Sequence, residues 1–157
     1  MEIAGEYKFE VPQLALWEVL QDPKALSLII PMAMDMKQVA DNQYTGVLFF
    51  KVGSVAGLFR GKIELFNLQS PTSYEIKVQG SSPAGRVDIV GGIRLEESGY
   101  DTTMYYEGKL TFGGPIVSVG SRMIEVAVRS IIQQSFDTLN RYLKLKYKSP
   151  KRTEGRS

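Results

Sequence analysis

The chain has 157 residues, 43% of them hydrophobic and 23% charged, with a formal net charge of +2; this is ordinary globular composition, enough for one full core but not for two. It contains no cysteine and no histidine, which excludes disulfides, thiolate nucleophiles, most zinc sites and the side chain that most often moves protons near neutral pH. With neither a long apolar run nor a signal-peptide pattern, it is expected not to span a bilayer by itself, and the lack of cysteine fits a reducing cytoplasm.

In chain order, Ile3, Gly5, Tyr7 and Phe9 alternate with Glu2, Glu6, Lys8 and Glu10, the period-two pattern of a half-buried strand. Pro12 ends it. In "PQLALWEVLQDP" Leu16, Val19 and Leu20 stand at helical spacing, and Asp22 to Ile30 reads as a second short helix with Asp22 as N-cap and Pro23 in the first turn. From Met32 to Phe112 alternation returns, broken at Asp41-Asn42, Gly53-Ser54, Ser70-Pro71, Ser82-Pro83 and Ser98-Gly99, which predicts about six strands in an antiparallel meander. From Pro115 to Tyr147 the spacing predicts one long amphipathic helix, with Ile116, Gly120, Met123, Ile124, Ala127, Val128, Ile131, Ser135, Leu139 and Tyr142 on its inner half.

A seven-stranded sheet with one face to bury and a helix with one apolar half complete each other. The expected fold is therefore α+β, a curved antiparallel sheet gripping the C-terminal helix, as a single domain over residues 1–147. Residues 148–157 are expected to form a solvated tail. From Lys144 onward the chain carries Lys144, Lys146, Lys148, Lys151, Arg152 and Arg156 against Glu154. Such an arm suits an anionic membrane surface or an acidic partner, where each cation contributes about 1 kcal/mol. With no interleaved aromatic beyond Tyr147 it is a poor footprint for nucleic acid, which is not expected as a partner.

Three features suggest what the fold does. Met32, Met34 and Met36 follow Ile29, Ile30 and Pro31, and alternation would set all three on one strand face, a soft apolar row able to repack around a guest. The inward rows of the strands contain Gly46, Gly57, Gly61, Gly91 and Gly108. Glycines there bend a sheet and let a helix lie close, and the missing side chains can also leave room for a ligand. On the outward rows a two-residue turn at Gly53-Ser54 would pair Phe49 with Leu58, an apolar patch beside Val47 and Ala56 that suits a protein or membrane contact.

Catalytic constellations are not apparent. No phosphate-cradling glycine motif or metal-ligand cluster occurs, and Asp88, Glu96, Glu97, Asp101 and Glu107 fall on outward positions or turns. Tyr44, Tyr74, Tyr106, Ser121 and Ser135 could each offer one hydroxyl to a buried ligand or to the backbone.

"PQLALWEVLQDPKALSLIIP", "FFKVGSVAGLFRGKIEL", "TTMYYEGKLTFGG" and "GSRMI" followed by "FDTL" resemble, in order and spacing, the carbon monoxide dehydrogenase G-subunit family of the START-like helix-grip superfamily, over about Glu2 to Leu139. The resemblance implies a cavity for a hydrophobic ligand and an accessory role beside a molybdenum hydroxylase, carrying an isoprenoid quinone or recruiting the dehydrogenase to the membrane. The chain departs from the family in reading Ile30-Pro31-Met32 where "IPG" is common, and in its basic tail where several relatives carry a hydrophobic anchor.

The leading expectation is a non-enzymatic binding protein, cytoplasmic or peripheral at the inner face of the membrane, needing no cofactor beyond a bound quinone or lipid. Ile29, Ile30 and Met32 would line the mouth, and Phe50, Phe59, Tyr74, Ile89, Tyr106, Met123, Ile124, Ala127 and Ile131 the wall. The alternatives are an adaptor that docks through Phe49, Leu58 and the tail, and, ranked last, a cyclase or hydrolase on the same fold.

Overall fold

A computed structural model describes residues 1–147. The expected tail, with Lys148, Lys151 and Arg152, lies outside the described residues. Strand β1 (Glu2–Phe9) leads into two short helices, α1 (Gln13–Val19) and α2 (Pro23–Ile29). Six strands follow: β2 (Ala33–Ala40), β3 (Gln43–Val52), β4 (Val55–Gln69), β5 (Ser73–Ser82), β6 (Gly85–Ser98) and β7 (Asp101–Gly113). A 3-10 turn (Pro115–Val119) and the long helix α3 (Ser121–Lys146) follow as the last elements among the described residues. All neighbours pair antiparallel in the order β1-β7-β6-β5-β4-β3-β2, so β1 closes one edge and β2 the other.

The local chemistry explains most boundaries. Asp22 caps α2 as expected, accepting from the Lys24 backbone N–H at 3.0 Å. The Gly53-Ser54 turn sets the register of β3 on β4, with Val52 opposite Val55 and Phe49 opposite Leu58. The expectation of a helix from Pro115 is corrected at Gly120. There φ is +94° and ψ is 147°, a conformation that suits glycine, and the helix starts one residue later. Ile116 is buried from the 3-10 turn rather than from the helix.

The methionine row is corrected too. Met32 and Asp35 both take left-handed backbone (φ +63° and +54°), and β2 slips register between Met34 and Lys37. The bulge turns successive side chains to different faces. Met34 stands opposite Val47 on the outer row, while the Met36 sulfur fills the space above Gly46 on the inner one.

The helix and the concave face of the sheet enclose two apolar clusters. One gathers Phe9, Val11, Leu16, Trp17, Ile29, Tyr74, Leu95 and Met104 with Leu139 and Leu143, from the C-terminal half of α3. The other gathers Ile3, Phe50, Val52, Phe59, Leu110 and Ile116 with Ile124 and Val128, from its N-terminal half. Burying Leu139 and Leu143 is worth about 1.5–3 kcal/mol each. Polar latches then fix where the helix sits. The Tyr7 hydroxyl donates to Asp137 at 2.6 Å, the Glu10 N–H donates to Asn140 at 3.1 Å, and Lys144 pairs with Glu10 at 2.8 Å. The ion pair is half-exposed and contributes at most about 1 kcal/mol, so packing holds the helix and the polar bonds set its register.

Burial and the Asp137 hydrogen bond push the Tyr7 phenol from 10.0 up to about 12, while the Tyr7 and Gln133 hydrogen bonds hold Asp137 below its usual range. The raised Tyr7 value means that its contribution is complete below pH 10, the unfolded value, and is lost as pH climbs toward about 12. Thermal melts of wild type and Tyr7→Phe across pH 8–12 should therefore converge at the alkaline end. A constant offset over the whole range would show that the phenol does not couple to folding.

Candidate functional site

Within the second cluster lies a cavity of about 280 Å³, walled by Ile3, Leu48, Phe50, Phe59, Val87, Ile89, Tyr106, Leu110 and Phe112 from the sheet and by Val128, Ile131 and Ile132 from α3, with Gly108 on its floor. Glu107 borders it through the main chain, because its carboxylate lies over Gly92 on the opposite face. The lining is apolar apart from the Tyr106 hydroxyl.

The five inward glycines contribute unequally. A Cβ at Gly46 would meet the Met36 sulfur, and one at Gly57 would meet Ser82 Oγ at 2.7 Å and Ala84 Cβ at 3.0 Å, so neighbours already occupy both spaces. Gly91 faces Gly108 across β6 and β7, and a Cβ there would run into the Glu107 carbonyl and stand 3.0 Å from the Gly108 Cα. Gly61 has 3.4 Å to the Gln79 carbonyl. A Cβ at Gly108 would meet Val90 O at 3.6 Å, Leu110 Cδ1 at 3.9 Å and Gly91 Cα at 4.0 Å, all ordinary contacts. Of the five, Gly108 is the one that both lines the cavity and leaves usable room in it.

Phe50, Phe59, Ile89, Tyr106 and Ile131, all expected in the wall, come together around this space. The others are placed elsewhere. Tyr74 is buried in the first cluster, edge-on to Trp17 at 5.6 Å between centroids, and burial raises its phenol pKa. Ile124 is buried and Ala127 half-buried in the second cluster without lining the cavity, and Met123 is 49% exposed beside the Gly53 turn. The expected mouth is not assembled: Ile29 is buried in the first cluster, Ile30 caps α2, and Met32 is 60% exposed. Leu48, Val87, Gly108, Leu110 and Phe112 share the inward rows that alternation assigns, but alternation does not say which segment of each row meets the cavity. Nothing in the sequence pattern singles out Ile132.

The remaining candidate hydroxyls are largely engaged. Tyr44 donates to the Gln21 carbonyl at 2.9 Å, and Ser135 to the Ile131 carbonyl at 2.7 Å within its own helix. Lys144 is tied to Glu10, and Lys146 stacks over the rings of Tyr142 and Tyr147 at 5.8 and 5.6 Å. A larger hollow of about 660 Å³ on the outer face is a polar groove over Gly92, bordered by Glu75, Glu107 and Arg94, whose guanidinium lies 4.3 Å over the Tyr105 ring. Among the described residues no group of three His, Cys, Asp or Glu side chains could hold a metal ion, and no helix is long and apolar enough to cross a membrane.

A long helix gripped by a seven-stranded antiparallel sheet, with two short helices after the first strand and an apolar cavity beneath the grip, defines a START-like helix-grip protein. The chain belongs to the G-subunit (CoxG) family of carbon monoxide dehydrogenase, whose model matches residues 5–144. No curated protein matches it significantly in sequence. Among solved structures, a conserved protein from Geobacillus kaustophilus superposes with a TM-score of 0.85 at 23% identity, over 91% of this chain and 95% of that one. An aromatase/cyclase from a Streptomyces species gives 0.69 at 12% identity, over 92% and 93%. A Thermus thermophilus protein gives 0.69 at 11%, over 95% and 100%. At these identities the likeness concerns the fold.

The two facing glycines should respond oppositely to alanine in urea denaturation. Gly91→Ala forces a methyl against backbone and should cost about 1–3 kcal/mol, whereas Gly108→Ala should gain about 0.5–1 kcal/mol by stiffening the unfolded chain. Equal losses at both would mean that the cavity floor is as tight as the rest of the sheet.

Proposed function

We propose that the chain binds one hydrophobic small molecule, of quinone or lipid-like type, in the cavity beneath α3. It holds this guest without transforming it, beside a molybdenum hydroxylase of the carbon monoxide dehydrogenase type at the inner face of the membrane. The observation that carries the reading is the apolar cavity with Gly108 on its floor, a position where a side chain would fit and none is present. Membership of a dehydrogenase-subunit family supports an accessory role. The cavity walls offer a single hydroxyl and no acid paired with a base, which favours holding over turnover, although the helix-grip fold also serves an aromatase/cyclase. At about 280 Å³ the cavity suits one ring system and would leave a long chain to run outward. Exposed Val117, Met123 and Val126, beside Arg122 at this end of the molecule, suit the approach of such a guest from a membrane surface. Native mass spectrometry with lipid extraction on gently purified protein tests this. Wild type should retain or take up one apolar molecule on titration with quinones or lipids, and Gly108→Val should weaken uptake at least tenfold while remaining as stable as wild type. A wild-type cavity that stays empty throughout would sink the reading.

A second reading concerns the outer face of β3 and β4. Phe49 stands opposite Leu58, which is 47% exposed, and Met34 stands beside the nearly covered Val47. Lys51, Arg60 and Lys62 border the patch and join no ion pair among the described residues. These residues lie on the outer face of the sheet rather than at a loop tip, which suits an apolar-centred protein contact with an acidic rim, here the dehydrogenase, better than insertion into lipid. The double variant Phe49→Glu, Leu58→Glu should lose co-purification with the molybdenum hydroxylase while keeping its uptake of the apolar guest. Undiminished co-purification would remove this face from the proposal.

A further inference from the structure

The one hydroxyl in the cavity wall has no structural employment. Tyr106 and Gly5 are register partners on β7 and β1, and the Tyr106 ring lies down across Gly5, with Oη 2.5 Å and Cζ 2.8 Å from where a Cβ would stand. Covering an edge-strand glycine with a cross-strand aromatic is a known way to stabilise such a pair, and a phenylalanine would serve it equally well. The ring also meets Phe136 in a T-shaped contact at 5.2 Å between centroids, a contact between residues packed against different apolar clusters. Gly5 and Phe136 both contact the ring. Its hydroxyl makes no hydrogen bond among the described residues, whereas the Tyr7 hydroxyl two positions along β1 from Gly5 is bonded to Asp137 and that of Tyr44 to Gln21. Tyr106 shares the cavity lining with Ile3 and the other apolar residues.

We infer that the Tyr106 hydroxyl is the polar anchor of the cavity, donating a hydrogen bond to a carbonyl oxygen on a ring of an otherwise apolar guest. The inference rests on the reading of this cavity as a ligand site and adds to it the residue that selects a ring ketone or quinone over a plain hydrocarbon. A donor held at a fixed place in an apolar wall selects by orientation, because a carbonyl taken from water into this lining finds one partner, and a guest turned the other way finds none. Gly5 acts as a positioning residue, since any side chain there would lift the ring off β1.

The test uses a matched pair of probes, menadione and 2-methylnaphthalene, which share a bicyclic ring and a methyl group and differ in the two carbonyls. With no cysteine in the chain, thiol adducts of menadione do not interfere. Dissociation constants are measured calorimetrically for wild type and Tyr106→Phe, the ring being kept so that the packing against Gly5 and Phe136 survives. The expected result is a three- to tenfold loss for menadione, the range of one neutral hydrogen bond, and less than a twofold change for 2-methylnaphthalene. No loss for menadione overturns the inference while leaving the cavity a ligand site. Equal loss of both probes also overturns it, since the hydroxyl would then act through packing. Failure of wild type to bind either probe overturns the binding reading and this one together.

Discussion

The seating of α3 in the concave face of the sheet is the constraint on which the rest of the structure depends. Its two halves are held in different ways. The C-terminal half is packed through Leu139 and Leu143 and latched to the first strand region by Asp137, Asn140 and Lys144. The N-terminal half, behind the break at Gly120, rests on Ile124 and Val128 and bridges open space at Ile131 and Ile132. A helix anchored at one end can span a cavity at the other without losing its place, because stiffness carries the register that packing fixes elsewhere. Protein interiors otherwise close up to near-crystalline density, so a gap of this size persists only where rigid elements on both sides prevent collapse.

The sheet supplies the other rigid wall, and its glycines divide the work. Gly91 and its neighbour across the pair let β6 and β7 approach too closely for a side chain at Gly91, while Met36, Ser82 and Ala84 refill the spaces over Gly46 and Gly57. A row of glycines is thus not a row of holes. Most of the thinning serves curvature and local packing, and the space left over is concentrated near Gly108, where Tyr106, Leu110 and Phe112 of the same strand also face inward.

These features join fold to role. In the proposed role, an apolar pocket whose lining carries one phenol would hold an oily guest weakly enough to release it. The basic-edged outer face of β3 and β4 points away from that pocket, on the other side of the sheet. On the proposed reading, binding a guest and docking a partner would use different surfaces of one small domain, and neither would have to be given up for the other.

Much of this was legible in the sequence. Alternation and turn residues determined the strands, the Asp22 cap, the Gly53-Ser54 hairpin and its Phe49/Leu58 pair, because these depend on interactions between near neighbours in the chain. The family motifs carried the fold and the family. Tertiary structure alone decided which part of each inward row meets the cavity. It placed Tyr74 and Ile29 in the other cluster, left Met32 and Met123 exposed and brought in Val128 and Ile132. The bulge at Asp35, which separates Met34 from Met36, was likewise invisible to a period-two pattern. The physical reason is common to all of these: alternation gives the face of a strand, but depth beneath a helix depends on where that helix is latched, and residues more than a hundred positions apart, such as Tyr7 and Asp137, set that latch.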